Sequence, residues 1–138
     1  MLTIKTTLTS TLILAGALAL TACQTTANSG PNWVKAAENG EIVMLVDTSS
    51  ITPSTENADW RNGTVLVQQP EGASSAFNGS MILDTTVNCA TQEARINEVR
   101  LYEQPHGQGN LLNTQPGSNG FLPSTSAEDI SLVEIICK

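Results

Sequence analysis

The sequence predicts an α+β domain, mainly β, closed by one C-terminal helix, and three observations predict it. Ser80 to Cys89 alternates, with Met81, Leu83, Thr85, Val87 and Cys89 on one side and Ile82, Asp84, Thr86 and Asn88 on the other. That period of two belongs to a strand with one buried face. Ile42 to Val46 is an unbroken apolar run stopped by Asp47, too short for a stable helix and bounded by turn residues. After Pro123, Thr125-Ser126-Ala127-Glu128 fits a capping box. Ile130, Val133, Ile136 and Cys137 then follow at helical spacings.

In chain order, Trp33 and Val34 open a short first strand, and Asn39-Gly40 is a hairpin turn. Ile42–Val46 is then a central strand covered on both faces. Thr48 to Asn57, with its serines, threonines and Pro53, reads as a loop. Thr64 to Gln68 is the next strand, closed by Pro70-Glu71-Gly72. Whether Asp59-Trp60-Arg61 joins that strand is open, because Asn62-Gly63 could turn the chain away. Gly72 to Gly79 is turn-rich and precedes the alternating Ser80–Cys89 strand. Glu93 to Tyr102 has helix-favouring residues, yet the alternation around Val99 and Leu101 makes it a strand. Pro105 to Pro123 is rich in glycine, proline and asparagine and is the longest irregular stretch. For the last segment, the capping signal favours a helix, with Glu128 and Asp129 suiting its positive start. A strand over Ile130–Ile136 is the alternative, since β-branched residues abound.

The N-terminus carries an export signal. Lys5 supplies the positive region and Leu12 to Leu20 the apolar run. Leu20-Thr21-Ala22-Cys23 then matches a bacterial lipobox. In that pattern the peptide is cut before Cys23, whose thiol takes a diacylglycerol and whose new amine is acylated. The domains expected are therefore a signal peptide (1–22), an acylated N-terminus with a polar tether (23–31), and one folded body (32–138). A transmembrane anchor needs roughly 20 predominantly apolar residues, and Thr9, Ser10 and Thr11 dilute this stretch. Gln24 after the cysteine favours passage to a Gram-negative outer membrane, where the body could be surface-exposed or face the periplasm.

Charge and cysteine usage limit the partners. The chain carries 6 basic and 13 acidic residues, a net charge of −7, and signal cleavage would remove Lys5 as well. A lysine-poor, acidic body lacks the clustered basic footprint that nucleic acid requires, and lacks a polybasic contact for anionic headgroups. The membrane is held through the lipid anchor alone. With Cys23 spent on lipid, Cys89 and Cys137 remain as a pair in an oxidising compartment, and a disulfide is expected between them. The rival, a metal site, lacks ligand spacing with a single histidine and two distant thiols.

Catalytic chemistry is hard to find. His106 is the only histidine, and neither a serine elbow nor a reactive cysteine accompanies it; Pro105-His106-Gly107 reads as an exposed turn. An enzyme acting on cell wall or lipid would have to use it as base. Gly107-Gln108-Gly109 lacks the context of a phosphate loop. Trp33, Trp60 and Tyr102 read as core or strand-pair residues. The sequence thus offers no catalytic residue, no metal site and no cofactor, and names no ligand-binding residue.

The chain resembles the surface-adhesin protein E family of bacterial lipoproteins. The resemblance rests on Val46-Asp47-Thr48-Ser49-Ser50-Ile51, on Trp60 ahead of the Thr64–Gln68 strand, and on Asn88-Cys89 after the Ser80-initiated strand. It continues with the Tyr102 to Gly109 turn and with Pro123-Ser124 before a helix ending in Cys137. It covers Trp33 to Lys138. The chain departs from the pattern at Asn88, where the family usually has an acidic residue, and in the long glycine-rich link after Tyr102. The resemblance implies a curved antiparallel sheet of five or six strands with a C-terminal helix, and leaves room for a homodimer. It implies a protein partner, a host extracellular-matrix or serum protein. A periplasm-facing subunit that stabilises an envelope or secretion machine is the alternative. No binding residue carries over.

Overall fold

The computed structural model describes residues 30–73 and 78–138. The lipobox, Cys23 and most of the tether lie outside the described residues, as does part of the Gly72–Gly79 turn. Among the described residues, seven antiparallel strands form one open sheet: β1 (Trp33–Glu38), β2 (Val43–Pro53), β3 (Trp60–Gln68), β4 (Ser80–Asn88), β5 (Glu93–Tyr102), β6 (Leu111–Pro116) and β7 (Leu122–Pro123). The first six lie side by side in chain order, and the two-residue β7 pairs with the start of β5. An α-helix, α1 (Ala127–Ile136), follows.

The alternation of β4 sets the two faces. Val87 and Val65 on one face join Val46 of β2 and Val67 in a cluster closed by Leu132, Val133 and Ile136 of α1. Val46, Val65 and Val87 are wholly buried, and burying a side chain of this size stabilises the fold by about 1.5–3 kcal/mol. The helix lies across β1, β2 and β3. It comes close because position 63 is glycine: a Cβ there would stand 3.2 Å from Ile136 Cδ1. The Cys89–Cys137 bond is formed, with Cα atoms 5.7 Å apart, and ties the last turn of α1 to the end of β4. Closing a loop of 48 residues removes about 4 kcal/mol of unfolded-state entropy in the chain model.

Several expectations change in detail. The stretch expected as a loop from Thr48 is instead the second half of β2, which runs to Pro53. Asp47 makes this possible: its Oδ1 accepts from Asn32 N, Ser49 N and Ser49 Oγ. It thereby steadies an irregularity after which Thr52 pairs with Asn62 and Pro53 with Arg61. β1 reaches only to Asp47, so beyond it β2 is an edge, where proline is tolerated. Asp59-Trp60-Arg61 resolves with β3 starting at Trp60. The irregular stretch from Pro105 holds a 3₁₀ turn (Pro105–Gly107), β6 and β7.

The central strand is covered by helix on one face only. Ile42, Met44 and Val46 face the cluster, whereas Val43 and Leu45 are half-buried on the other side. On that opposite face, the 3₁₀ turn folds back over β3 and β4. His106 N donates to Gln68 Oε1 and Gly107 N to Ser80 Oγ, both at 2.8 Å, and Ile82 packs beneath Gly107. The helix is present, but its cap is Ser126 rather than Thr125, with Ser126 Oγ accepting from Asp129 N at 3.0 Å. Its buried face is Leu132, Val133 and Ile136; Ile130, expected on that face, is 41% exposed.

Candidate binding surface

The face turned away from α1 carries polar side chains from β3, β4 and β5 in adjoining rows, because Asn62 pairs with Thr86 and Thr86 with Arg95. An irregularity in β5 between the pairs Asp84–Glu98 and Thr85–Ile96 adds Asn97 to this group. The side chains are joined end to end. Arg95 Nη2 donates to Glu56 Oε1 at 2.8 Å, and Arg95 Nε to Asn97 Oδ1 at 2.9 Å. Asn97 Nδ2 donates to Thr86 Oγ1 at 2.8 Å, and Thr86 Oγ1 donates to Asn62 Oδ1 at 2.9 Å. Each bond fixes which way the next amide or hydroxyl points. Such a chain is worth more than isolated pairs, since its members polarise one another.

Aromatic rings hold one end of this chain. Arg95 sits 5.8 Å from the centroid of Trp60 and 5.1 Å from that of Phe121, and the two rings meet at 4.7 Å with a 60° tilt. Such cation–π contacts contribute about 0.5–2 kcal/mol each. Phe121 arrives on the segment after β6, which is laced onto the irregular part of β5: Gly117 N donates to Asn97 O and Ser118 N to Ile96 O. The approach is so close that a Cβ at position 117 would overlap the Ile96 carbonyl. At the other end of the surface, Arg100 Nη2 donates to both oxygens of Asp84 at 2.9 Å and Glu98 approaches Arg100 Nε at 3.3 Å.

Two further features stand apart. β6 is an outer strand with all six residues exposed, and Leu111 and Leu112 are each 52% exposed. It carries no charge to discourage pairing. A cleft of about 220 Å³ between β5, β7 and the start of α1 is lined by Ala94, Ile96, Leu122 and Leu132, with Ser124 and Asp129 at its polar side.

The residues singled out from sequence divide clearly. Cys89 and Cys137 are brought together as a structural bond. His106 is exposed in its turn, in a cleft whose described lining is chiefly amide side chains, with Glu71 its one described carboxylate. Trp33 and Tyr102 are half-buried on strands, as expected of strand-pair residues. Trp60 differs: it belongs to the Arg95–Phe121 cluster rather than to the apolar core. Asn88 closes the β4–β5 turn, its Oδ1 accepting from Ala90 N and Thr91 N, bonds that a carboxylate at this position would accept as well. Arg95, Asn97, Asn62, Thr86 and Phe121 were not singled out. The alternation of β4 already sent Thr86 to the non-core side, but nothing in a single sequence joins it to residues of β3 and β5.

Chemically this arrangement can bind by directed hydrogen bonds and stacking. Among the described residues no group of histidine, cysteine and carboxylate could hold a metal ion, and no helix is long and apolar enough to cross a membrane. No curated protein and no solved structure matches the chain. The family model described as surface-adhesin protein E matches residues 33–138, from the first residue of β1 to Lys138, so the chain belongs to the surface-adhesin protein E family.

Proposed function

We propose that the protein is an outer-membrane lipoprotein, moored through Cys23, that acts at the cell surface by contact with a host extracellular-matrix or serum protein. The family match over the whole folded body carries this reading, and a surface adhesin role in general follows from it. Membership implies a binding protein rather than an enzyme. The lipobox supports the mooring: two or three acyl chains, each methylene contributing roughly 0.8 kcal/mol, hold a protein far more firmly than one chain. The uncharged, exposed β6 edge and the polar face beside it give such a partner room to dock.

Protease shaving of intact cells tests the proposal. The expected result is loss of the folded body from cells whose outer membrane is whole. A body that stays uncut until that membrane is opened would overturn it and make the chain a periplasm-facing accessory subunit.

A further inference from the structure

The hydrogen-bonded face described above encloses an open cavity of about 270 Å³. That is just below the ~300 Å³ at which ligand clefts usually begin, so its occupant is a single ring-sized group. The side chains lining it are hydroxyls, amides and carboxylates, including Ser50, Glu56, Asn62, Asp84, Thr86 and Asn97. No lining residue is apolar beyond a glycine.

The charges are already matched. Glu56 is paired with Arg95, and Asp84 with Arg100, at 2.8 and 2.9 Å. An ion, of either sign, gains little from a site whose carboxylates and guanidiniums neutralise one another. What the cavity does offer is direction. With Asn62 Oδ1 and Glu56 Oε1 engaged by the chain of bonds, the Asn62 amide nitrogen is set as a donor. The second oxygen of Glu56 is set as an acceptor on the same cavity.

From this geometry we infer that the cavity is a binding site for a neutral saccharide ring. A hydroxyl is at once donor and acceptor, so adjacent ring hydroxyls can bridge a fixed amide nitrogen and a fixed carboxylate oxygen. An apolar side chain of a peptide finds no seat there. The bonds and ring contacts that lock Arg95 and Asn97 are in place before the ligand arrives, which lowers the ordering cost of binding. This goes beyond the contact reading, and it holds whichever side of the membrane the body faces.

The test is saturation-transfer NMR and titration of the full-length protein in detergent micelles with methyl glucoside, methyl galactoside, methyl mannoside and N-acetylglucosamine. At least one sugar should bind with a Kd on the order of 1 mM. Glu56→Gln and Asn62→Ala should each weaken it about tenfold, as for a lost directed hydrogen bond. Leu122→Ala, in the separate cleft, should leave it unchanged. Melting curves identify a variant that has not folded; Glu56 is exposed, so Glu56→Gln decides if Asn62→Ala is lost. Absence of transfer to every sugar, or binding indifferent to Glu56→Gln, would overturn the inference. These results leave the shaving experiment untouched.

Discussion

The two halves of the sheet are built differently. β1 to β3 lie under α1, with Val46 of β2 and Val65 of β3 wholly buried in the cluster it closes, whereas β5 meets α1 only across a cleft and β6 is exposed throughout. On the helix side, Ile136 is 1% exposed; at the far edge, every residue of β6 is exposed. Apolar burial and one disulfide hold the first half. The second half is held in shape by backbone ladders, a hydrogen-bonded file of polar side chains and a laced-down loop. The contrast teaches where change is tolerated: stability is concentrated under the helix, and the surface available for contact lies away from it.

Removing the disulfide should separate the halves most sharply. Cys137→Ser should lower unfolding free energy by about 2–5 kcal/mol, read from urea titration. An unchanged midpoint would mean that the helix is held by packing alone. Gly117→Ala strikes the other half. A methyl group driven against the Ile96 carbonyl should cost about 1–3 kcal/mol and shift tryptophan fluorescence as Phe121 leaves Trp60. If fluorescence and stability both stay put, the loop is not what fixes the ring. The smallest effect is expected at the outer edge, where Leu112→Ser should change stability by no more than about 0.5 kcal/mol in a thermal melt. A loss several times larger would show that β6 is buried against something, such as a second copy.

Much of the fold was legible because its signals were local. Period-two alternation exposed β4 and put Cys89 on the core side, and the capping box at Thr125 gave away the helix within one residue of its cap. The compartment argument paired the right cysteines. β2 beyond Asp47 was hidden because Ser49, Ser50 and Pro53 belong to an edge, and edges take loop-like residues. β6 was hidden for the same reason: Leu111 to Pro116 has no alternating pattern, since neither of its faces is buried. The polar file was least legible of all. Asn62, Thr86 and Arg95 meet only through strand register, and Phe121 only because Gly117 lets its segment approach, so neither is a property of neighbouring residues in the chain.

Strand order has a consequence for how the molecule comes into being. Because β1 to β6 stand in the sheet as they occur in the chain, each strand finds its partner one turn back, and short-range pairings of this kind close quickly. A polypeptide made from its N-terminus can zip up progressively. Cys89, however, waits for a mate that follows every strand, so the bond can close only after the last strand has been made. A closed bond therefore reports that the whole meander has been laid down.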